Sequence, residues 1–411
     1  MSTSSDTLAF NPFLPEVHED PYPMYERLRR EDPVHRSELG IWVLTRHADV
    51  LALLRDPRTS RDPRRSERVE LLRATAGSVE VDQLLDEEEA APSMLFVDPP
   101  DHTRLRTLVN KAFTPAAVER LRGRVEEIVD GLLDRVAGAG AMDVVEDLAY
   151  PLPVTVICEM FGVPEADWDR FRTWSRALVR LLDPLVAEDA FEQALQARLA
   201  LRGYLRELIA ERRAHPADDL LTALITAEDQ GQALSESELV SMCVLLLVAG
   251  HETTVNLIAN GTLALLRHPP ALERLKADPS LAGGAVEELL RYDSPVQFTS
   301  RHALADLEID GHAVRTGETV VGVLGAANRD PAQFADPDEL DLARKPNRHV
   351  AFGGGIHFCL GAPLARVEAA IAVPALLERM PDLELAGAPV RRDTVTLRGL
   401  SSLPVTFQAT G

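Results

Sequence analysis

Two short stretches hold residues whose types and spacing could do chemistry. The first runs Gly353-Gly354-Gly355-Ile356-His357-Phe358-Cys359-Leu360-Gly361. Pro363 suits the first turn of a helix continuing through Leu364, Ala365, Arg366, Val367 and Glu368. Cys359 then stands at that helix's N-terminus, where the dipole and free backbone N–H groups favour a thiolate over a thiol. The glycines let the loop pass close to a flat partner. The second stretch is Ala249-Gly250-His251-Glu252-Thr253-Thr254. It sets a glycine, an acid and two β-branched hydroxyl residues side by side, poor choices for the centre of a long buried helix.

Three uses of the thiolate follow from its chemistry. A zinc site needs about four ligands, and no second cysteine is near. A nucleophile wants a base and an oxyanion hole. A single thiolate below a haem iron is the third; the paired cysteines of c-type attachment are absent. The other two cysteines, Cys158 and Cys243, lie on apolar helix faces and read as core. An odd number of widely spaced cysteines argues against a disulfide framework and for a reducing compartment.

The elements that must position these residues are mostly helical. Apolar spacing predicts helices over 103–138, 188–214, 235–267 and 283–292. Ser235 and Glu238 form a capping-box start, and Pro269-Pro270 block continuation. Between them lie roughly 33 residues, about 50 Å of helix, apolar all round in the first half and so buried. Gly250 would let another group approach this helix closely, and a threonine could bond back one turn and open it. Alone, the segment reads equally well as a helix surfacing at Glu252. Strand-like pieces are short: 41–44, 307–314 with an Asp310-Gly311 turn, 319–324, and a last hairpin of 394–397 with 405–407. Residues 56–93 form a charged connection without firm periodicity, a texture that is usually functional or disordered.

The totals bound the function classes. A net charge of −22 argues against non-specific nucleic-acid binding, which needs a basic footprint. It suits a soluble cytoplasmic protein. The N-terminus shows no secretory signal pattern. The longest apolar run, 239–249, is shorter than the ~20 residues a bilayer requires.

Phe352-x-x-Gly355-x-His357-x-Cys359-x-Gly361 resembles the haem-binding signature of the cytochrome P450 family. Glu288-Leu289-Leu290-Arg291 resembles that family's E-x-x-R element, and the Ala249–Thr254 stretch its oxygen-activation segment. The resemblance spans almost the whole chain and is nearest the soluble bacterial type. It implies an α+β fold, mainly helical with small sheets. One large domain would cover 1–411, β-rich near 30–60, 296–325 and 390–411, and helical near 95–292 and 360–380. A long central helix would cross the haem.

The same resemblance assigns roles. Cys359 would be the proximal ligand of haem b, with Phe352, Gly353 and Gly361 around it and Leu95, Ala249 and Gly250 against the cofactor. His102 and Arg106, four apart on one helix, with Arg301 and His357, would hold the propionates. Glu252 and Thr253 would relay protons, which favours an oxygen-dependent route over direct use of peroxide; His251 receives no catalytic part. Glu288 and Arg291 would form a buried structural pair joined by Arg348 or Asn347. Leu246, Ala249, Val296, Phe298, Thr299, Leu400 and Ser401 are candidate walls for a lipophilic substrate, together with the 56–95 and 170–188 regions.

No flavin or nicotinamide domain fits this length, so electrons would come from a ferredoxin and its reductase. Arg104, Lys111, Arg344, Lys345 and Arg348 form the candidate docking patch. The expected activity is insertion of one oxygen atom from O2 into a macrolide, another polyketide, a steroid or a fatty acid. A haem-thiolate sensor has no need of the Glu252-Thr253 pair. A cysteine hydrolase leaves the four cationic residues without purpose.

Overall fold

The structure, a computed structural model, describes residues 8–66, 92–183 and 186–409. Most of the 56–93 connection, and part of the 170–188 region, lie outside the described residues. The helices that matter for the site are α1 (His47–Arg55), α2 (Asp101–Ala112), α3 (Pro115–Arg120), α4 (Arg122–Asp134), α5 (Pro151–Met160), α6 (Trp168–Val179), α7 (Glu188–Ala214), α8 (Glu236–Arg267), α9 (Ala282–Tyr292) and α10 (Ala362–Arg379).

Helix α8 is the axis. Ser235 accepts the Glu238 backbone N–H, and the Glu238 carboxylate accepts that of Ser235, completing the predicted capping box. Its length and composition would suffice to cross a membrane, but 67% of its most apolar window is buried inside the protein. Helices α5, α7, α9 and α10 pack around it. One apolar core runs through α2 to α10. The predicted 103–138 helix is instead three pieces. Phe113 leaves helical geometry, Thr114 caps the next segment through the Ala117 N–H, and Pro115 occupies its first turn.

The main sheet has strands β1 (Val34–Arg36), β2 (Trp42–Leu44), β3 (Thr59–Ser60), β7 (Phe298–Ala303) and β10 (Thr319–Val323) in the order β1-β2-β10-β7-β3. The remaining short strands are β4 (Ala141–Asp143), β5 (Glu228–Asp229), β6 (Gln232–Ala233), β8 (Leu307–Ile309), β9 (His312–Val314), β11 (Glu384–Leu385), β12 (Val390–Arg391), β13 (Leu400–Ser402) and β14 (Pro404–Thr406). Asp310 and Gly311 both take positive φ in the β8–β9 turn, as the Asp-Gly pair predicts.

The last hairpin is a correction. Residues 394–397 form no strand. Instead β12 pairs with β13, and β14 lies between β11 and β4. The half-buried Asp183 carboxylate accepts the Val395 and Thr396 backbone N–H groups, which removes them from any ladder.

Candidate functional site

The cysteine loop rests on α1. The Cys359 N–H donates to the Phe352 carbonyl at 3.0 Å and closes the loop. Gly355 has φ 66°, and a Cβ there would come within 2.3 Å of the Leu54 carbonyl oxygen. That glycine is required by the helix behind the loop, not only by a flat partner in front of it. The Cys359 sulfur accepts from the Gly361 and Ala362 amides at the start of α10. Burial nevertheless pushes the thiol up, against the pull of those amides, Arg106 and Arg366. The amides at the helix end thus favour the thiolate, as the sequence predicts, and burial opposes them. Cys158 and Cys243 are buried in the core.

Around this sulfur the fold gathers cations. His102 and Arg106 come from one face of α2, and the His102 and His357 rings meet at 4.4 Å. Arg301 reaches in from β7; its guanidinium donates to the Thr299 hydroxyl at 3.2 Å and the Ser300 carbonyl at 2.9 Å. Burial holds Arg301 down to about 9, helped by the neighbouring Arg61. His357 is held at about 2 by burial, His102, Arg301, Arg61 and Arg106. Among the described residues, neither Arg106 nor Arg301 forms an ion pair with a carboxylate. Such a cluster is short of anions, and a cofactor carrying two carboxylates beside a thiolate-ligated iron fits it.

Halfway along α8, Gly250 is packed against Ile157 of α5, leaving about 3.1 Å for a Cβ. Ala249 is accessible, and the Thr253 hydroxyl bonds back to its carbonyl at 3.3 Å. Glu252 does not surface; it is 1% exposed. The Arg392 guanidinium donates to its Oε2, and its Oε1 stands 3.5 Å from His251 Nε2. Burial pushes the Glu252 carboxyl up, but His251 and Arg392 outweigh it and hold the group at about 2. His251 is fully buried. Its Nδ1 is bonded to the Leu247 carbonyl and its Nε2 to the Ser175 hydroxyl of α6, each at 2.8 Å.

Glu288 and Arg291 form the expected buried pair at 2.7 and 2.8 Å. Arg291 also donates to the carbonyls of Asn328, Pro337 and Glu339. Asn347 joins Glu288 at 3.1 Å, as anticipated; the second partner is Arg344 at 3.1 Å, not Arg348. Arg344 is thereby withdrawn from the docking patch. Arg104 is engaged by Glu238, and Lys111 by Asp229 and the Glu228 carbonyl at 2.7 Å. Lys345 and Arg348 remain exposed.

Of the predicted substrate wall, Leu246, Ala249, Val296, Thr299 and Ser401 retain accessible surface. Leu400 has none, and Phe298 packs edge-on to Phe10; both belong to the core. Leu95 lies half-buried in the turn Met94–Phe96 ahead of α2. Sequence reasoning missed Arg61, Ser175, Arg392 and Glu368. Only Glu368 left a local trace, as a charge on an otherwise apolar helix face.

The cytochrome P450 family model matches residues 82–385. The polyketide biosynthesis cytochrome P450 PksS of Bacillus subtilis (strain 168) is 44% identical, over 98% of this chain and 99% of its own. The cytochrome P450 monooxygenase PikC of Streptomyces venezuelae is 46% identical, over 95% of this chain and 91% of its own. The solved structure of the Bacillus subtilis 168 bacillaene polyketide synthase cytochrome P450 PksS superposes with a TM-score of 0.89, covering 97% of this chain and 100% of that one.

Proposed function

The chain belongs to the cytochrome P450 family, and from that premise we propose that it tailors a polyketide or similar lipophilic natural product. It is a haem b monooxygenase that inserts one oxygen atom from O2 into its substrate. The observation that carries the site assignment is the convergence on Cys359 of the His102 and His357 rings with Arg106 and Arg301, two guanidiniums without carboxylate ion-pair partners among the described residues.

When bound, haem b supplies dioxygen activation. Cys359 would be its protein ligand, steadied by the Gly361 and Ala362 amides. Arg106 and Arg301, with His102 and His357, would bind the two propionates through charge-assisted hydrogen bonds. Glu252 is anionic at neutral pH, so it serves the proton relay as an acceptor with Oε1 as its unbonded oxygen. The Thr253 hydroxyl donates to the Ala249 carbonyl and so presents its lone pairs as acceptors at the accessible face of α8. The accessible wall is apolar with isolated hydroxyls, at Thr299 and Ser401, which suits a lipophilic substrate.

Electrons would come from a ferredoxin docking on Lys345 and Arg348, the two patch cations without a protein ion pair among the described residues. The relative named for polyketide biosynthesis, PksS, favours that substrate class over a steroid or fatty acid. The test begins with the carbon monoxide difference spectrum. A strongly red-shifted Soret band that survives Cys158→Ser and vanishes in Cys359→Ser supports the ligand assignment. A spectral-shift screen of polyketides, steroids and fatty acids, followed by turnover with product identification, then decides the substrate; turnover of fatty acids alone would overturn the polyketide assignment.

A further inference from the structure

We propose that Arg61, which lies outside every motif described above, is a third guanidinium counter-ion for the haem propionates; this rests on the haem-site reading. Strand β3 pairs antiparallel with β7, Thr59 opposite Ala303 and Ser60 opposite His302. One more step in that register brings Arg61 level with Arg301. Both guanidiniums donate to one neutral acceptor, the Thr299 hydroxyl. Two like charges crowded on a single hydroxyl repel each other, and a shared anion removes that cost. The Phe96 ring lies 5.7 Å from the Arg61 guanidinium carbon and steers it.

Arg61 forms no ion pair with a carboxylate among the described residues. Burial alone pulls its guanidinium down to about 10. It also depresses Arg301, His302 and His357, so its charge faces the cationic cluster. Asp98 is a carboxylate in this neighbourhood; it accepts the Ser60 hydroxyl and the Arg61 backbone N–H and raises Arg301. Asp62 also acts on His302 but is paired with Arg64, so among the described residues the guanidiniums of Arg61, Arg106 and Arg301 against Asp98 leave a surplus of two positive charges. The two propionates of haem b match that surplus. His102 and His357, whose rings meet at 4.4 Å, would add hydrogen bonds beside the guanidiniums. Without Arg61 one propionate would sit uncompensated in a poorly solvated site.

The test is haem transfer from the holoenzyme to excess apomyoglobin, followed at the Soret band, with the ferric/ferrous potential measured on the same samples. Arg61→Gln is expected to lose haem about ten times faster than the parent and to shift the potential negative. Arg61→Lys should retain most of the parent behaviour, because a point charge still compensates the carboxylate. Arg301→Gln serves as the reference. Fast loss in Arg301→Gln with parent-like loss and potential in Arg61→Gln would overturn this inference and leave the haem site standing. Parent-like loss in both variants would overturn the haem-site reading itself. Unchanged haem retention in Arg61→Gln with weakened binding of myristate would assign Arg61 to a substrate anion, and that too would overturn the proposal.

Discussion

Arg392 closes on the Glu252 carboxylate from 140 residues further along the chain, just after β12. Arg392 also donates to the Leu400 carbonyl at 3.1 Å, so a turn in the C-terminal sheet fixes the acid of the central helix. Glu252 is held at about 2 against an ordinary value of 4.5. Its carboxylate thus adds stability that is complete above pH 4.5 and is lost as pH falls through about 2. Arg392→Gln is expected to cost about 3–5 kcal/mol in urea unfolding at pH 7, toward the lower end because Arg392 keeps some solvent contact. It should also move the acid limb of the coupling-versus-pH profile upward. An unshifted limb would separate Arg392 from the relay.

Thr253→Ala removes the relay hydroxyl while its backbone partner, the Ala249 carbonyl, stays in the helix. The expected outcome is unchanged substrate binding with more hydrogen peroxide released per NAD(P)H consumed. Coupling equal to the parent's would remove Thr253 from proton delivery.

Glu368 faces α8 from α10, fully buried, and neither carboxylate oxygen has a well-formed partner. Burial pushes it up to about 8, with only the Thr254 hydroxyl pulling it down. The sign is opposite to that of Glu252: the protonated group is tolerated, and stability falls as pH rises from 4.5 towards 8. The fall amounts to roughly 5 kcal/mol at most, since the surroundings relax. Glu368→Gln should flatten thermal stability between pH 5 and pH 8, and a curve parallel to the parent's would show that the side chain does not titrate there.

Glu288→Ala leaves Arg291, Arg344 and Asn347 without their shared acceptor. A loss of about 3–5 kcal/mol is expected, accompanied by a lower ratio of Soret to protein absorbance, because the residues leading into the cysteine loop lose their anchor. Full haem occupancy in a destabilised variant would restrict the network to folding.

Reversal of Lys345 and Arg348 to Glu should slow reduction by an acidic ferredoxin at low ionic strength and leave substrate spectra intact. The parent-like rate at 20 mM and 200 mM salt alike would place the docking face elsewhere.

Much of this was legible in the sequence wherever the signal was local. The capping box at Ser235, the Asp310-Gly311 turn and the glycine loop at Cys359 are each set by neighbours within a few residues, and each stands where it was expected. The break at Phe113-Thr114-Pro115 was also local, but strong apolar periodicity on both sides masked it. The partners of the site residues were not legible. Arg392 on Glu252, Ser175 on His251 and Arg344 on Glu288 join positions 140, 76 and 56 residues apart, and a lone arginine or serine carries no mark of its destination. Of the two candidates for the Glu288 network, Arg348 or Asn347, Asn347 joins it, and the backbone turn at Asp341–Arg344 adds Arg344.

The hub at Glu288 and Arg291 has a consequence for recombining this chain with its relatives. The pair collects carbonyls at 328, 337 and 339 and side chains at 344 and 347. A crossover between 288 and 347 would ask one parent's helix to grip another parent's loop through these matched contacts and the Asp341 backbone N–H that Glu288 also accepts. A crossover at the exposed turn near 310, though convenient, would divide the hub, whereas one in the exposed turn near 230 transfers it whole. The segment from α9 to the cysteine loop is thus an exchangeable unit, and chimeras that respect its edges should be the ones that come out coloured.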